Sequence, residues 1–325
     1  MFSLRFDMRA PGFGAPAADL YAAAIEMTSF AESRGGAFVV VSEHHRSPDG
    51  YLPAPTILAT ALAARTTQIP IMVAVALLPL YDPVRLAEEM CVLDIVSAGR
   101  VSYVGAIGYR REEYEMYGVD FHRRGAIADE KLDVLLRAKT GEPFEHDGRS
   151  IHVTPAPVTP GGPGVSWGGG SVAAARRAAR FGLDFMGQGG DTAITEAYEA
   201  EARAQGRTPG LCFIPPADMA QVVFVADDLD RAWDELGPHL MHDARSYAAW
   251  NPGDTTTSSL SFATTADELR AEQRSHRIVT VAEAVTMART GMPLALHPLI
   301  GGLPPEIAWR YLRTVTDEVM PALSA

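Results

Sequence analysis

The residues of this chain best suited to chemistry stand together in the stretch VVVSEHHRSPDGYLP, from Val39 to Pro53. A short apolar run ends in Glu43 and two adjacent histidines, His44 and His45, then breaks into a loop containing Pro48, Gly50 and Pro53. Imidazole titrates near neutral pH, so either histidine can move a proton or stabilise a developing anion. Adjacent side chains at a strand end diverge. That alone would leave one histidine exposed to solvent; a functional role is nonetheless expected for His44, while His45 stands balanced between function and structure. Glu43 reads as an orienting or ion-pairing partner, not as the catalytic acid. A metal centre would need more ligands. His239 and His242 in HLMHD have i, i+3 spacing, but the first apolar run, FSLRFDM, lacks a histidine, and neighbouring histidines present two nitrogens to one ion poorly. No metal is expected.

A second candidate is VSWGGGSVAAARRAARFG, where a strand runs through Gly168, Gly169 and Gly170 into a helix that starts at Ser171 and ends at Gly182. Glycines let backbone N–H groups approach an oxyanion, Ser171 adds a hydroxyl, and a helix N-terminus favours negative charge. Arg176 and Arg177 lie further along and are expected to face solvent. No Gly-Lys precedes Ser171, so the pattern points to a cofactor phosphate held by backbone, not to nucleotide hydrolysis. A third candidate is Val73-Ala74-Val75-Ala76 together with GAIGYRREEYEMYG, whose small and aliphatic residues leave room for a flat ring system. Core packing explains the first of these stretches equally well, and Gly105 and Gly108 serve either ligand approach or a turn.

These residues need a scaffold, and the chain reads as short apolar runs alternating with amphipathic helices. Strands are expected at Phe2 to Phe6, Ala37 to Ser42, within IPIMVAVALLP, Val101 to Gly105, Val165 to Trp167, Leu183 to Met186, Val222 to Val225 and Leu294 to Leu296. The third run is wholly apolar, as a parallel strand covered on both faces must be. Helices are expected at Ala18 to Ser33, Pro53 to Arg65, from Asp82-Pro83 to Ser97, and Arg123 to Ala138, with a last one opened by Pro304-Pro305. FEHDGRSIHV predicts a hairpin turning at Asp147-Gly148. The alternation predicts an α/β fold, one TIM-type (β/α)8 barrel over residues 1–325, with an insertion or lid around 239–274, where NPGDTTTSSLSFATT is polar and irregular. Functional groups of such a barrel gather where strands end and helices begin.

Composition narrows the class. The chain has 325 residues, 47% hydrophobic and 21% charged, with 28 basic and 40 acidic side chains and a net charge of −12. That balance disfavours nucleic acid and anionic membranes, which require a basic surface. Cys91 and Cys212 make neither a disulfide framework nor a CxxC pair. The start, MFSLRFDMRAPGFG, is unlike a secretory signal, and no run approaches the roughly 18 apolar residues of a membrane span. A cytoplasmic protein is expected.

Four blocks together resemble the bacterial luciferase-like family of flavin-dependent monooxygenases and oxidoreductases: SEHHRSPDGYLP, LLPLYDPVRLAEEMCVLDIVSAGRVSYVGAIGYRREEYEMYGVDFHRR, WGGGSVAAARRAARFGLDF and LHPLIGGLPPEIAWRYL. The resemblance implies an eight-stranded barrel with insertions. By it, His44 matches a histidine implicated in the oxygen chemistry, and Ala74-Val75 matches a bulge beneath the flavin ring that often carries a non-prolyl cis peptide. Ala106, Ile107 and Tyr109 match residues beside the ring, and Gly169, Gly170 and Ser171 match the phosphate loop. Many relatives carry arginine where Ile107 stands, the light-emitting subunit has a reactive cysteine where Ala106 stands, and an acidic residue there corresponds to Gly170. The implied activity is oxygenation of a small organic substrate with reduced FMN and O2, the reduced flavin coming from a partner reductase, since no GxGxxG nicotinamide site is present. Alternatives on the same barrel are hydride transfer with a deazaflavin and a non-catalytic flavin-binding paralogue. A metal-dependent hydrolase is a further alternative. Relatives commonly pair through early barrel helices, so a homodimer through AAAIEM and TILATALAA is implied. Substrate choice would fall to residues 250–266 and to side chains near Phe6, Tyr51 and His297.

Overall fold

A computed structural model describes residues 1–190 and 192–324. The strands in chain order are β1 (Phe2–Phe6), β2 (Gly36–Val41), β3 (Ile71–Leu77), β4 (Val101–Ala106), β5 (Phe144–His146), β6 (Arg149–Ile151), β7 (Gly164–Gly169), β8 (Phe185–Gly187), β9 (Cys212–Phe213), β10 (Val222–Val225), β11 (His276–Val279) and β12 (Leu294–Leu296). The helices are α1 (Ala17–Ser33), α2 (Pro55–Ala64), α3 (Pro83–Ser97), α4 (Arg111–Tyr117), α5 (Arg124–Ala138), α6 (Val172–Arg180), α7 (Thr192–Ala204), α8 (Leu229–Trp250), α9 (Ala266–Glu272), α10 (Val281–Ala288), α11 (Pro305–Thr314) and α12 (Met320–Ser324). The chain is α/β, with each main strand leading into a helix. Among the described residues no helix is long and apolar enough to cross a membrane.

Contacts divide the chain into two units, each built from separate stretches. The first comprises Met1–Val40, Ser47–Pro53 and Pro215–Ala325; the second comprises Val41–Arg46 and Ala54–Ile214. In the second, β3, β4, β7, β8 and β9 are consecutive parallel neighbours. Their carboxyl ends therefore lie along one edge. The apolar run expected as the third strand is β3, with Ile71, Val73, Ala76 and Leu77 buried.

Side chains that satisfy backbone groups fix the helices of this unit. Asp82 accepts from the amides of Val84 and Arg85, both at 2.9 Å, with Pro83 at the first helical position, a cap that contributes about 1 kcal/mol. Leu86, Met90 and Leu93 of α3 are buried on one face, as their spacing requires. Asp94 accepts from the amides of Val158 and Thr159, and the Arg100 guanidinium donates to the carbonyls of Ala63, Thr66, Ile69 and Ser97. Between β5 and β6, Asp147 and Gly148 both have positive φ (49° and 71°), the geometry of a tight antiparallel turn.

In the first unit β12, β1 and β2 are consecutive neighbours, with Phe2 opposite Leu294 and Leu4 opposite Leu296 in parallel register. Here the structure departs from the sequence reading. Val222 to Val225, expected as the seventh strand, pairs in parallel with β11, which was not expected, and the short β9 of the second unit was missed as well. Residues 239–250 belong to α8, which runs through Gly237-Pro238 without ending. A proline inside a helix removes one hydrogen bond and crowds the preceding turn, but burial of Ala232, Trp233, Leu236, Leu240, Met241 and Ala244 keeps the helix continuous. Irregular chain begins only after Trp250, where Asp254 accepts from the amides of Thr256 and Thr257.

Candidate active site

Every residue marked for catalysis or cofactor binding lies in the second unit, in or just past the carboxyl half of a strand. Glu43, His44 and His45 follow β2; Ala74 and Val75 lie in β3; Ala106 ends β4, with Ile107 and Tyr109 beyond it; Gly169 ends β7, with Gly170 and Ser171 beyond. Strands β4 and β7 are parallel neighbours, so the last two groups share one edge of the sheet. The histidines reach the same edge. His44 meets Tyr109 beyond β4, and Glu43 accepts from the Leu77 amide at the end of β3 at 3.1 Å.

The two histidines stand in two short files of hydrogen bonds. In the first, Glu113 Oε1 lies 2.8 Å from His44 Nδ1, and His44 Nε2 lies 3.1 Å from the Tyr109 hydroxyl. Glu113 Oε1 also accepts from the His45 amide and from Arg110. Burial would raise the Glu113 carboxyl, but the His44 hydrogen bond and charge, the His45 amide and Arg110 outweigh it and hold it below its ordinary value. Glu113 is then an acceptor, so the proton of neutral His44 sits on Nδ1 and Nε2 accepts from Tyr109. In the second file, Tyr117 lies 3.2 Å from His45 Nδ1 and Glu43 Oε1 lies 2.6 Å from His45 Nε2. Here burial dominates: the Glu43 carboxyl is pushed up despite His45, the Leu77 amide and Tyr81. His44 and His45 are both buried, so the expected solvent exposure of one of them does not occur. Glu43 is thus the hydrogen-bond partner of His45, where the sequence left it an orienting or ion-pairing group.

At β3 the register shifts between Ala74 and Ala76, so Val75 is an extra residue against β4, and the Ala74–Val75 peptide is cis. Val75 packs against the buried cluster of Leu77, Leu80 and Tyr114, and the Tyr114 hydroxyl donates to the Ile107 carbonyl. Gly105 has a packing reason: a Cβ there would come within 2.9 Å of the Trp167 ring. At the third strand end, Gly169 (φ 154°) turns the chain into α6, and a Cβ on it would lie 2.7 Å from that of Ala174. Only glycine passes so close. Ser171 Oγ accepts from the Ala174 amide at 3.2 Å and caps the helix, while Gly170 and Ser171 remain exposed. Arg177 does not face solvent. It is buried, bonded to Asp129 and to the Gly125 carbonyl.

The first unit carries a charged cluster at the carboxyl ends of β1 and β12. Arg9, wholly buried, donates to Asp49 at 2.6 Å and lies 3.3 Å from Asp7 and 3.8 Å from Asp243. Tyr51, Tyr247 and Trp250 surround its guanidinium, with ring centroids at 4.7, 5.2 and 4.6 Å. His242 bonds Asp49, His276 bonds Asp243, and His297 lies 3.5 Å from Asp7. Burial would raise Asp49 and Asp243. The hydrogen bonds from His242 and His276 respectively, with the Arg9 charge, hold both well below the ordinary carboxylate range. Among the described residues Asp7, Asp243 and His297 bring three donor atoms within 4.8 Å of one another, but Arg9 already supplies the cation beside the two carboxylates. His239 bonds the Gly301 carbonyl, so the HLMHD pair does not converge.

Sequence reading missed Glu113, Tyr117 and the centre of the Arg9 cluster with Asp7, Asp49 and Asp243, although it had singled out Tyr51, His242 and His297 around it. A signal for the first was slight: Glu113 lies in the first turn of the helix that follows Tyr109 in GYRREEYEMYG, close to the end of β4. Arg9 lies within the irregular DMRAPG; Asp7 is its neighbour two residues back, but Asp49 and Asp243 come from distant parts of the chain, so the cluster has little local signal.

The chain resembles known proteins in sequence and in fold. The family profile for luciferase-like monooxygenases matches residues 5–292. The alkanal monooxygenase alpha chain of Photorhabdus luminescens is 27% identical over 167 residues, 50% of this chain and 46% of that one. The chain spans less than half the length of the curated relatives it matches first. Among solved structures, monooxygenase RslO1 from Streptomyces bottropensis superposes with a TM-score of 0.77 at 19% identity over 99% of both chains. The oxygenating constituent of 3,6-diketocamphane monooxygenase from Pseudomonas putida, in complex with FMN, gives 0.71 at 18% over 98% of both. An F420-dependent secondary alcohol dehydrogenase gives 0.66 at 15%, over 99% of this chain and 98% of that one.

Proposed function

The chain belongs to the family of luciferase-like monooxygenases, and from that premise we propose that it is an oxygenase that takes reduced FMN and O2 and oxygenates a small organic substrate. The observation that carries this reading is the meeting, on one sheet edge, of the Glu113–His44–Tyr109 file, the shifted strand at Ala74–Val75 and the glycine turn into α6. Exposed Gly170 and Ser171 at the α6 N-terminus fit an anionic tail, and the half-buried Ala74, Val75, Ile107 and Tyr109 fit a flat ring. Bound reduced flavin supplies the electrons that activate oxygen. His44 holds or delivers the proton at Nε2 through Tyr109, and Glu113 stabilises the imidazolium that results. Leu77, Leu80 and Tyr114 keep water from the ring's side of β3.

The wider reading is a single barrel domain over residues 1–325 with its insertion or lid around 239–274, in a cytoplasmic homodimer fed by a separate flavin reductase. Support for pairing is uneven. In AAAIEM, Ala23, Ala24 and Met27 are buried within their own unit, whereas Ile57 of TILATALAA is 72% exposed. Val92, Ile95 and Val96 of α3 are exposed too.

Deazaflavin hydride transfer is the second reading, favoured by the fold shared with the F420-dependent dehydrogenase. Anaerobic titration with reduced FMN and with reduced deazaflavin, followed by oxygen-uptake assays, separates the two. Tight FMN binding with oxygen-dependent turnover is expected. Deazaflavin turnover indifferent to oxygen would replace the first reading with the second.

A further inference from the structure

We propose that the open cavity between the loop after β1 and α8 binds an organic acid, with the carboxylate on Arg245 and an aryl body against Phe13. Both walls belong to the first unit. The cavity has a volume of about 560 Å³, the size of a small-molecule site, and Phe13, Trp233, Pro238, Met241 and Arg245 are among the residues that line it. Asp234, Pro238, Met241 and Arg245 recur at intervals of three or four, so they share one face of α8. Phe13 is 57% exposed, yet its loop is fixed. Ala10 donates to the Asp49 carbonyl at 2.6 Å and Ala15 to the Gly302 carbonyl at 2.9 Å. A Cβ on Gly14 would come within 2.6 Å of that second carbonyl, so the chain passes there as closely as glycine allows. The Phe13 ring meets the imidazoles of His239 and His242 at centroid distances of 5.3 and 5.7 Å, which ties it to α8. A large apolar ring already held in place beside an open cavity loses little freedom when a ligand covers it.

The charges set the ligand class. Arg245 is exposed, and its Nη2 donates to the Thr264 carbonyl. That bond places the guanidinium and leaves its other donors open. Among the described residues no carboxylate stands within ion-pair distance of it. Glu268, beside Thr264, already accepts from the Thr264 amide and hydroxyl, both at 2.7 Å. Asp234 lies three helical turns before Arg245, about 16 Å along the axis and beyond the screening length at physiological salt. It does not offset Arg245, and it disfavours an acid at its own end, so the ligand is oriented. A planar carboxylate takes two parallel N–H bonds from one guanidinium, and one charge balances one. The Met241 thioether and the Phe13 ring suit an aryl body. This site does not depend on the oxygenase reading, whose residues lie in the second unit.

The test uses 4-phenylbutyrate and its neutral amide as probes, read by calorimetry and by quenching of tryptophan fluorescence on the full chain. The acid should bind at least tenfold more tightly than the amide. Arg245→Met should equalise the two, and Arg245→Lys should restore part of the preference. Phe13→Ala, at an exposed ring, should weaken both probes severalfold. Trp233→Phe should remove most of the quenching while the calorimetric affinity stays. Equal affinity for the two probes, no binding at millimolar concentration, or a preference that survives Arg245→Met would overturn the assignment. So would quenching that persists in Trp233→Phe, or displacement of the acid by equimolar FMN, which would put it in the cofactor site. Sedimentation of Phe13→Ala covers the remaining occupant: a dimer that this change splits would give the cavity to a second copy of the chain and remove the acid from it.

Discussion

Around His44 and His45 the carboxylates, imidazoles and phenols stand in file; around Arg9 they stand in a ring. In the file each imidazole has a carboxylate on one nitrogen and a phenol on the other, so a proton gained at one end is compensated at the next group. In the ring the central group is a guanidinium, which does not titrate, and three aspartates and three aromatic rings are fixed about it. The same residue types thus serve opposite purposes. The first arrangement can change its protonation without changing its shape, and the second resists change in either.

The largest effect should come from removing the centre of the ring. Arg9→Met leaves Asp7, Asp49 and Asp243 buried without their shared cation, which should cost roughly 3–5 kcal/mol. Urea unfolding measures it. Adding Asp49→Asn to that variant should recover part of the loss, because the two residues are coupled. A loss below about 1 kcal/mol would show that the histidines, not Arg9, hold the acids in place.

Next in size is the head of the file. His44→Gln should lower oxygenation about a hundredfold, the lower end of what a positioned acid–base group supplies, with little change in the unfolding midpoint. Oxygen consumption should then end in released peroxide rather than product. His45→Gln should do less. If the two variants are equivalent, the files are interchangeable and the pairing of His44 with Tyr109 carries no special role.

These contrasts mark what sequence alone could reveal. The blocks DPVRLAEE and LD…S.GR are recognisable because Asp82, Asp94 and Arg100 satisfy backbone groups at fixed offsets, and such needs are written locally. The turn at Asp147-Gly148 and the cap at Ser171 are legible for the same reason. The histidines could be found because they end an apolar run, and Val73 to Ala76 because small and aliphatic residues there leave room for a ring. By contrast, β9 has two residues and β11 begins in a polar stretch, so neither offers the period of a strand. α8 hides behind Gly237-Pro238, since its continuity comes from burial that no local rule encodes. The ring around Arg9 joins the Asp7–Arg9 stretch to Asp49, Asp243 and their neighbours, which are distant in the chain.

Acid should separate Glu43 from the aspartates of the ring by sign. Asp7, Asp49 and Asp243 are each held below their ordinary value, so the stability they give is complete above about pH 4 and is lost as pH falls further toward their folded values. Glu43 is raised, so its contribution runs the other way: present at low pH and lost as pH rises through its folded value. Asp49→Asn should therefore flatten the stability profile below pH 4. Glu43→Gln should flatten it above about pH 4.5 instead. Thermal midpoints across pH 2–8 give both slopes. Matching slopes in the two variants would mean that Glu43 is not set apart by burial.

The smallest effect concerns Ser171, where capping and anion binding fall on one hydroxyl and must be pulled apart. Ser171→Ala removes the acceptor for the Ala174 amide and should cost about 1 kcal/mol of stability, whether or not a phosphate ever binds there. Ser171→Asp keeps a good cap and adds negative charge favourable to the helix N-terminus, so stability should hold or rise slightly. The same charge would repel an incoming phosphate. Aspartate should thus give the more stable protein and the weaker FMN binding, while alanine gives the less stable protein and the milder binding loss. If fluorescence titration finds FMN affinity unchanged in Ser171→Asp, the glycine turn and its serine only start a helix, and the cofactor's anionic end lies elsewhere.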